Sequence, residues 1–419
     1  MSTKLCTASD TSIPWQQIDF KKADRRVKKL QKRIALAYGD NEMDKVVSLQ
    51  HKMIHSFYAK ALAVKRVTSN KGNHTPGIDG VVWLTPEEKM EAVFSLNRRG
   101  YKPKPLKRVY IRKSNGNWRP LGIPTFKDRA MQTLYKFALE PIAEATADNG
   151  SYGFRWKRSV GDAVMACATT LSASPDLQWI LKADIQSCFD NISHEWILNH
   201  IPMDKEILWK ILNCGFVSQE EYYPSDKGIP QGGCLSSVIC NMALDGLEGI
   251  LTEQCESICF IRYADDFIVI GPSREILVQS IVPAIQKFLS ERGLFLSYEK
   301  TIITQVQNGF SFLGYEVYWQ EGKVYLIPAR KSIDSLLHTV YGLMPFYGTR
   351  QEEAYEPLKH AIRGWMNYYA GIAVPQSLLS AEAEILSLLI SLAGDKRTVE
   401  FIEKIFSSYD KYSWETKEG

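Results

Sequence analysis

Between residues 19 and 66, apolar side chains such as Val27, Leu30, Ile34 and Tyr38 recur three and four positions apart among lysines and arginines. That spacing lays one apolar stripe along an amphipathic helix and predicts a basic helical extension over residues 1–68. The stretch SNKGNHTPGIDG (69–80), dense in Gly, Pro, Asn and Asp, reads as a loop that separates this extension from the main body. Beyond it, YKPKPLKRVYIRK, the turn SNGN and the strand-like WRPLGIP predict a two-stranded hairpin studded with cations. Helical segments then alternate with short apolar runs: WILKADI (179–185), SICFIRYA (257–264), FIVIG (267–271) and FSFLGYEVYW (310–319). Residues 330–394 return to helical periodicity. This mixed order predicts an α+β fold whose sheet carries helices on one face.

A chain of 419 residues with 45% hydrophobic and 23% charged residues can bury a large core in more than one lobe. The 20 tyrosines and 10 tryptophans argue against disorder. No apolar run approaches the length of a membrane span, and MSTKLCTASDTS lacks the layout of a signal peptide, so a cytoplasmic protein without a membrane partner is expected. The eight cysteines are scattered without a Cys-x-x-Cys pair. Cys255 and Cys259 have no second pair at finger-like spacing, so free thiols are expected instead of zinc.

The net charge of +4 is modest for a nucleic-acid enzyme but hides a gradient. Arg25, Arg26, Lys28, Lys29, Lys32 and Arg33 crowd the first helix, whereas the segment after Pro375 has eight acidic residues against five basic ones. The first helix is therefore expected to lie on RNA phosphates, with a merely solvated face as the alternative.

IRYADDFIVI joins two strand-like runs through Ala264, Asp265 and Asp266. Adjacent carboxylates at a hairpin tip repel each other and require a compensating cation, although a plain exposed turn also accommodates them. Upstream, LKADIQSCFDNI ends an apolar strand at Asp184 and places Phe189 five residues on. If that strand lies beside the hairpin, Asp184, Asp265 and Asp266 converge and hold two Mg²⁺ ions about 4 Å apart, a phosphoryl-transfer site in which Mn²⁺ is the expected substitute. The backbone carbonyl of Ile185 is the expected further ligand. Asp190 is an alternative ligand, but it falls outside the strand register and is expected to be structural.

Taken together, Asp184 with Phe189, GIPQGGCLSSVICN (228–241), Tyr263-Ala264-Asp265-Asp266, LSYEKT around Lys300, and FSFLGY (310–315) have the order and spacing of the palm motifs of reverse transcriptases. The chain resembles that family over residues 20–375, above all the proteins encoded by bacterial group II introns, with SYGFRWKRS (151–159) and IRGWMNYYAG (362–371) as further landmarks. The resemblance implies a right-hand polymerase: fingers (69–178), a palm of antiparallel sheet on helices with interspersed finger elements (179–325), a helical, maturase-like thumb (326–394) and an acidic tail (395–419). It implies that Lys113 and Arg119 bind the triphosphate. Gln231, Gly232 and Gly233 would pass under the nascent base pair. Phe189 would block a ribose 2′-hydroxyl, with an ordinary core aromatic as the alternative. Lys300 would stand near the leaving pyrophosphate, with an exposed strand-end lysine as the alternative. Trp365 and Tyr368 read either as thumb core or as a stacking surface. RNA template, dNTPs and DNA product are the implied partners.

Relative to a mobile intron protein, the short acidic tail is expected to take the place of a basic DNA-binding region and of a Cys- and His-bearing endonuclease. Three settings follow. The first is a stand-alone bacterial enzyme copying a dedicated structured non-coding RNA in anti-phage defence. The second is an endonuclease-less intron maturase. The third is an RNA-binding chaperone that keeps the polymerase fold, which the complete aspartate set argues against.

Overall fold

The computed structural model describes residues 13–112, 116, 118–320, 322–343, 356–393 and 400. Lys113, most of the SNGN turn and, Glu400 apart, the acidic tail 395–419 lie outside the described residues. Helices α1 (Phe20–Gly39), α2 (Met43–His55), α3 (Phe57–Ser69), α4 (Pro86–Ser95), α5 (Phe126–Thr146) and α6 (Val160–Ala173) come first, followed by shorter helices named below by range. The strands are β1 (Leu106–Arg112), β2 (Trp118–Ile123), β3 (Trp179–Asp184), β4 (Phe216–Ser218), β5 (Glu221–Tyr223), β6 (Cys259–Tyr263), β7 (Asp266–Gly271), β8 (Ile302–Gln305), β9 (Phe310–Phe312), β10 (Tyr315–Gln320) and β11 (Lys323–Pro328). The chain divides into two compact units.

The first unit comprises residues 1–156, 184–254 and 281–298. Its α1 starts where the Asp19 side chain accepts from the Lys22 N–H at 2.9 Å, an N-cap that satisfies an otherwise orphaned donor. Ala23, Val27, Ile34 and Ala37 form the buried stripe of α1, which packs with α3 on α5. Gln31 Nε2 donates to the Phe137 carbonyl of α5 at 3.1 Å, and the Arg66 guanidinium of α3 lies 4.5 Å from the Phe137 ring centre. The predicted extension is thus three helices seated on the same unit. Arg25, Arg26, Lys28, Lys29, Lys32 and Arg33 stand exposed on the outer side of α1. Lys28 pairs with Asp24 at 2.8 Å, and Arg26 lies 4.4 Å from the ring centre of Tyr58.

The basic hairpin in this unit is β1 against β2, from Lys107↔Ile123 to Arg112↔Trp118. It grows into a four-stranded sheet of order β2-β1-β4-β5, in which β4 runs parallel to β1.

The second unit comprises residues 157–183, 255–280 and 299–419. It carries a four-stranded sheet of order β6-β7-β3-β8 and a separate three-stranded sheet of order β11-β10-β9. The apolar run at 310–319 accordingly does not continue the first sheet. It breaks at Leu313 (φ 48°) and Gly314 (φ 82°), so that Tyr315 turns back against Phe312. Three further helices, Arg330–Leu343, Glu356–Tyr369 and Pro375–Ala393, bury Leu336, Val340, Leu358, Ile362, Met366 and Ile385 in their own core. Among the described residues no helix is long and apolar enough to cross a membrane.

If α1 is structural as well as basic, truncating its stripe must cost stability. Ile34 has no exposed surface, so Ile34→Ala should lose about 2–5 kcal/mol by the combined transfer and cavity terms. Arg33→Ala, one residue away but exposed, should stay within about 0.5 kcal/mol of the parent chain. Denaturant titration of both variants checks this; equal stability would mean that α1 is a detachable arm.

Candidate active site

The carboxylate turn belongs to the second unit. β6 and β7 pair from Cys259↔Ile270 to Tyr263↔Asp266, leaving a two-residue connection of Ala264 and Asp265. Phe260, Ile261, Phe267, Ile268, Val269 and Ile270 are buried, so the hairpin is anchored along its length, while Asp265 and Asp266 are half-buried at its end. Ala264 adopts φ 58°, a left-handed conformation that costs a non-glycine residue roughly 1 kcal/mol or more. Beneath the turn, Arg262 is wholly buried and its Nη1 donates to the Ala264 carbonyl at 3.4 Å. This buried guanidinium, three residues before Asp265, braces the turn that presents the paired aspartates. Sequence reasoning passed over this arginine, although a charge inside an otherwise apolar strand was its signal.

Sheet order puts β3 next to β7, so the strand that ends at Asp184 neighbours the strand that begins at Asp266. Asp184 is half-buried and its carbonyl accepts from the Ser297 N–H at 2.8 Å. Ile185 is buried and bridged antiparallel to Leu296. Carboxylates and a backbone carbonyl are hard oxygen donors, the kind that suits Mg²⁺. Among the described residues no three His, Cys, Asp or Glu side chains stand together as a ready cluster.

The first unit holds a second constellation. Ser187 (φ 45°) turns the chain, and the Phe189 carbonyl accepts from the Ile229 N–H at 2.6 Å. The Gly228 N–H donates to the Ile192 carbonyl at 2.8 Å, and His194 Nε2–H donates to the Gly228 carbonyl at 2.7 Å. Burial holds the His194 imidazole below its ordinary value, keeping it neutral, so this donor persists near neutral pH. Gly228 is required here: at φ 80°, a Cβ would stand 2.6 Å from the Asp190 carbonyl oxygen. Gly232 is required by close approach as well, since its Cβ would stand 2.5 Å from the Gly122 carbonyl oxygen of β2.

This frame borders a cavity of about 410 Å³ lined by Arg108, Tyr110, Phe189, Asp190, Lys227 and Gln231, among others. Phe189 is half-buried, between the two roles expected of it. Arg108 and Tyr110 lie on one face of the hairpin. Arg119, opposite Ile111, lies on the other and does not line the cavity, yet its Nε donates to Gln231 Oε1 at 3.4 Å. Gln231 Nε2 in turn donates to Asp190 Oδ1 at 2.9 Å. Lys300 is exposed in a turn of the second unit.

Trp365 packs against the three-helix core and donates Nε1–H to Ser332 Oγ at 3.1 Å, which places it with the core. Its neighbours do something the sequence did not announce. Tyr368 donates to the Leu313 carbonyl at 2.7 Å and Tyr369 to the Gly314 carbonyl at 2.8 Å, while Tyr315 donates back to the Tyr368 carbonyl at 2.6 Å. Burial raises the Tyr368 phenol to about 12, so it remains a protonated donor. Two adjacent tyrosines therefore pin the left-handed turn at 313–314.

Residues 111–317 match the family described as "Reverse transcriptase (RNA-dependent DNA polymerase)", and residues 15–96 match "N-terminal domain of reverse transcriptase". Protein YkfC of Escherichia coli (strain K12) is 30% identical over 302 residues, 61% of this chain and 79% of that protein. The group II intron-encoded protein LtrA of Lactococcus lactis subsp. cremoris is 28% identical over 327 residues, 61% of this chain; the chain spans only 54% of its length. Maturase-like protein 1 of Euglena gracilis is 24% identical, covering 85% of this chain and 77% of its own. Among solved structures, telomerase from Candida albicans aligns over 74% of this chain and 65% of its own at 15% identity, with a TM-score of 0.44, a likeness too distant to bear on function. The match from 111 to 317 takes in β2 of the basic hairpin, the close-packed loop at 228–233 and the Tyr-Ala-Asp-Asp turn in one reading frame, and with it the chain belongs to the reverse transcriptase family, the RNA-directed DNA polymerases.

Proposed function

We propose that the chain copies a structured RNA into DNA by two-metal nucleotidyl transfer. The observation that carries this reading is that the strand ending in Asp184 lies beside the strand beginning at Asp266, which a strained turn at Ala264 that holds Asp265 joins to the preceding strand β6. Asp184, Asp265 and Asp266, with the Ile185 carbonyl, would hold two divalent ions, whose charge when bound favours attack of the primer 3′-hydroxyl on the α-phosphate. Arg119 donates to the triphosphate through its remaining guanidinium N–H groups, with Lys113 as a second cation. The Phe189 ring limits room at the ribose 2′ position. Gln231, Gly232 and Gly233 pass under the nascent pair, where the absent side chains of the two glycines permit close approach, and Lys300 supplies a proton donor toward pyrophosphate.

RNA capture falls to the exposed cations of α1, which present one charged face with the apolar stripe turned inward. The modest net charge of +4 suits a compact dedicated RNA, as in a stand-alone defence enzyme, better than a broad intron surface. A second reading, an intron maturase, is favoured by the similarity to the group II intron-encoded protein LtrA. Sequencing the RNA and cDNA that co-purify separates the two.

Replacing Asp265 and Asp266 together with Ala should abolish dNTP incorporation on an RNA template, a loss of at least about 10³-fold, while RNA affinity changes little. Retained extension by the double variant would refute the metal assignment.

Reversing Arg25, Lys29, Lys32 and Arg33 to Glu should weaken binding of the cognate structured RNA. The slope of log affinity against log salt should become shallower by about 0.7–0.9 per lost phosphate contact. Extension of a short preformed primer-template at low salt should suffer much less. Unchanged affinity and slope would show α1 to be only a solvated face.

A further inference from the structure

We propose that Asp190 is a positioning residue that acts through Gln231 on Arg119. The proposal rests on the reading that Arg119 binds the triphosphate. An ionised carboxylate only accepts hydrogen bonds and a guanidinium only donates them, whereas a glutamine amide presents an acceptor at one end and a donor at the other. Gln231 stands between the two: Nε2 donates to Asp190 Oδ1 at 2.9 Å, and Oε1 accepts from Arg119 Nε at 3.4 Å. The reverse orientation would set the amide oxygen against a carboxylate and the NH₂ against a guanidinium, two contacts without a hydrogen bond. Asp190 therefore fixes which end of Gln231 faces Arg119, and the oxygen so presented occupies Nε and leaves the terminal nitrogens of Arg119 for a phosphate.

Both ends of this relay are anchored by backbone contacts. The Asp190 N–H donates to the Ser187 carbonyl at 2.9 Å, and the Gly228 backbone packs directly on the Asp190 backbone. The Gln231 carbonyl accepts from the Gly122 N–H of β2 at 2.7 Å, next to the strand segment that carries Arg119. Asp190 itself is exposed, so its carboxylate is not needed to fill a core. A side chain held this firmly by its backbone, yet spending its charge on a neutral amide, serves to orient that amide.

The test compares the full-length parent with Asp190→Ala, Asp190→Asn, Gln231→Leu, Arg119→Ala and the double variant D190A/Q231L, measuring kcat and KM for a single dNTP on a primed RNA template. Asp190→Ala should raise KM roughly tenfold with kcat changed less than about threefold, the scale of one lost charge-assisted hydrogen bond. In the Gln231→Leu background the same change should alter KM less than about twofold, because the two residues act as one unit. Asp190→Asn, whose amide oxygen can still accept from Gln231, should recover most of the loss. An undiminished penalty in the Gln231→Leu background, or a lowered melting temperature without a KM effect, would overturn the proposal. If Arg119→Ala leaves KM unchanged, the triphosphate reading itself fails; if Arg119→Ala raises KM but Asp190→Ala does not, only the role of Asp190 fails.

Discussion

Gly228 and Asp190 meet backbone to backbone, so closely that a single methyl group on Gly228 would collide with the Asp190 carbonyl. Three hydrogen bonds close around that contact, from Ile229 to Phe189, from Gly228 to Ile192 and from His194 to Gly228. Their effect is to convert two loops, each short of regular structure, into one rigid piece. Phe189 and Gln231, which the functional reading assigns to the nucleotide, inherit their positions from it. Preorganisation of this sort matters in polymerisation because discrimination between sugars depends on sub-ångström placement, and a loop that relaxes would forfeit it.

Electrostatics in the second unit follow a different logic. Asp265 and Asp266 are placed at a turn whose geometry is unfavourable for Ala264, and the buried Arg262 donates to the Ala264 carbonyl. Strain and a buried cation are both costs that an ordinary exposed hairpin would shed, and both persist here beside the carboxylates. The tyrosine pair at 368 and 369 adds a second strained turn, at Leu313 and Gly314, held by side-chain donors from the helix Glu356–Tyr369. In this chain, the placement of the paired aspartates and of β10 thus draws on turns that are stable only because their surroundings over-determine them.

The strands carrying the site were readable because their apolar runs are continuous: WILKADI, SICFIRYA and FIVIG correspond to β3, β6 and β7 to within two residues at each end. β4 and β5 escaped because they are three residues long and lie at or near a sheet edge, where no alternation accumulates. β8, four residues long, is likewise short and half-exposed, whereas β11 runs six residues but buries only Leu326 and Pro328. The helical stripe of α1 was apparent, but its seat on α5 was not, since α5 starts more than a hundred positions after α1 does. Strand register alone gives Asp190 a structural part. Its partner Gln231 lies 41 residues away, and only the fold brings them together.

The central claim is that the rigid piece around Phe189 selects deoxyribonucleotides for RNA-templated synthesis, and single-nucleotide incorporation tests it most directly. Matched dNTP and rNTP are offered separately to the parent chain and to Phe189→Ala on the same primed RNA. The account requires the parent to extend with dNTP and to reject rNTP, and the variant to gain ribonucleotide incorporation by at least about tenfold, the scale of one steric contact worth over 1 kcal/mol. A variant that rejects ribonucleotides as strictly as the parent would contradict it and leave Phe189 an ordinary packing aromatic.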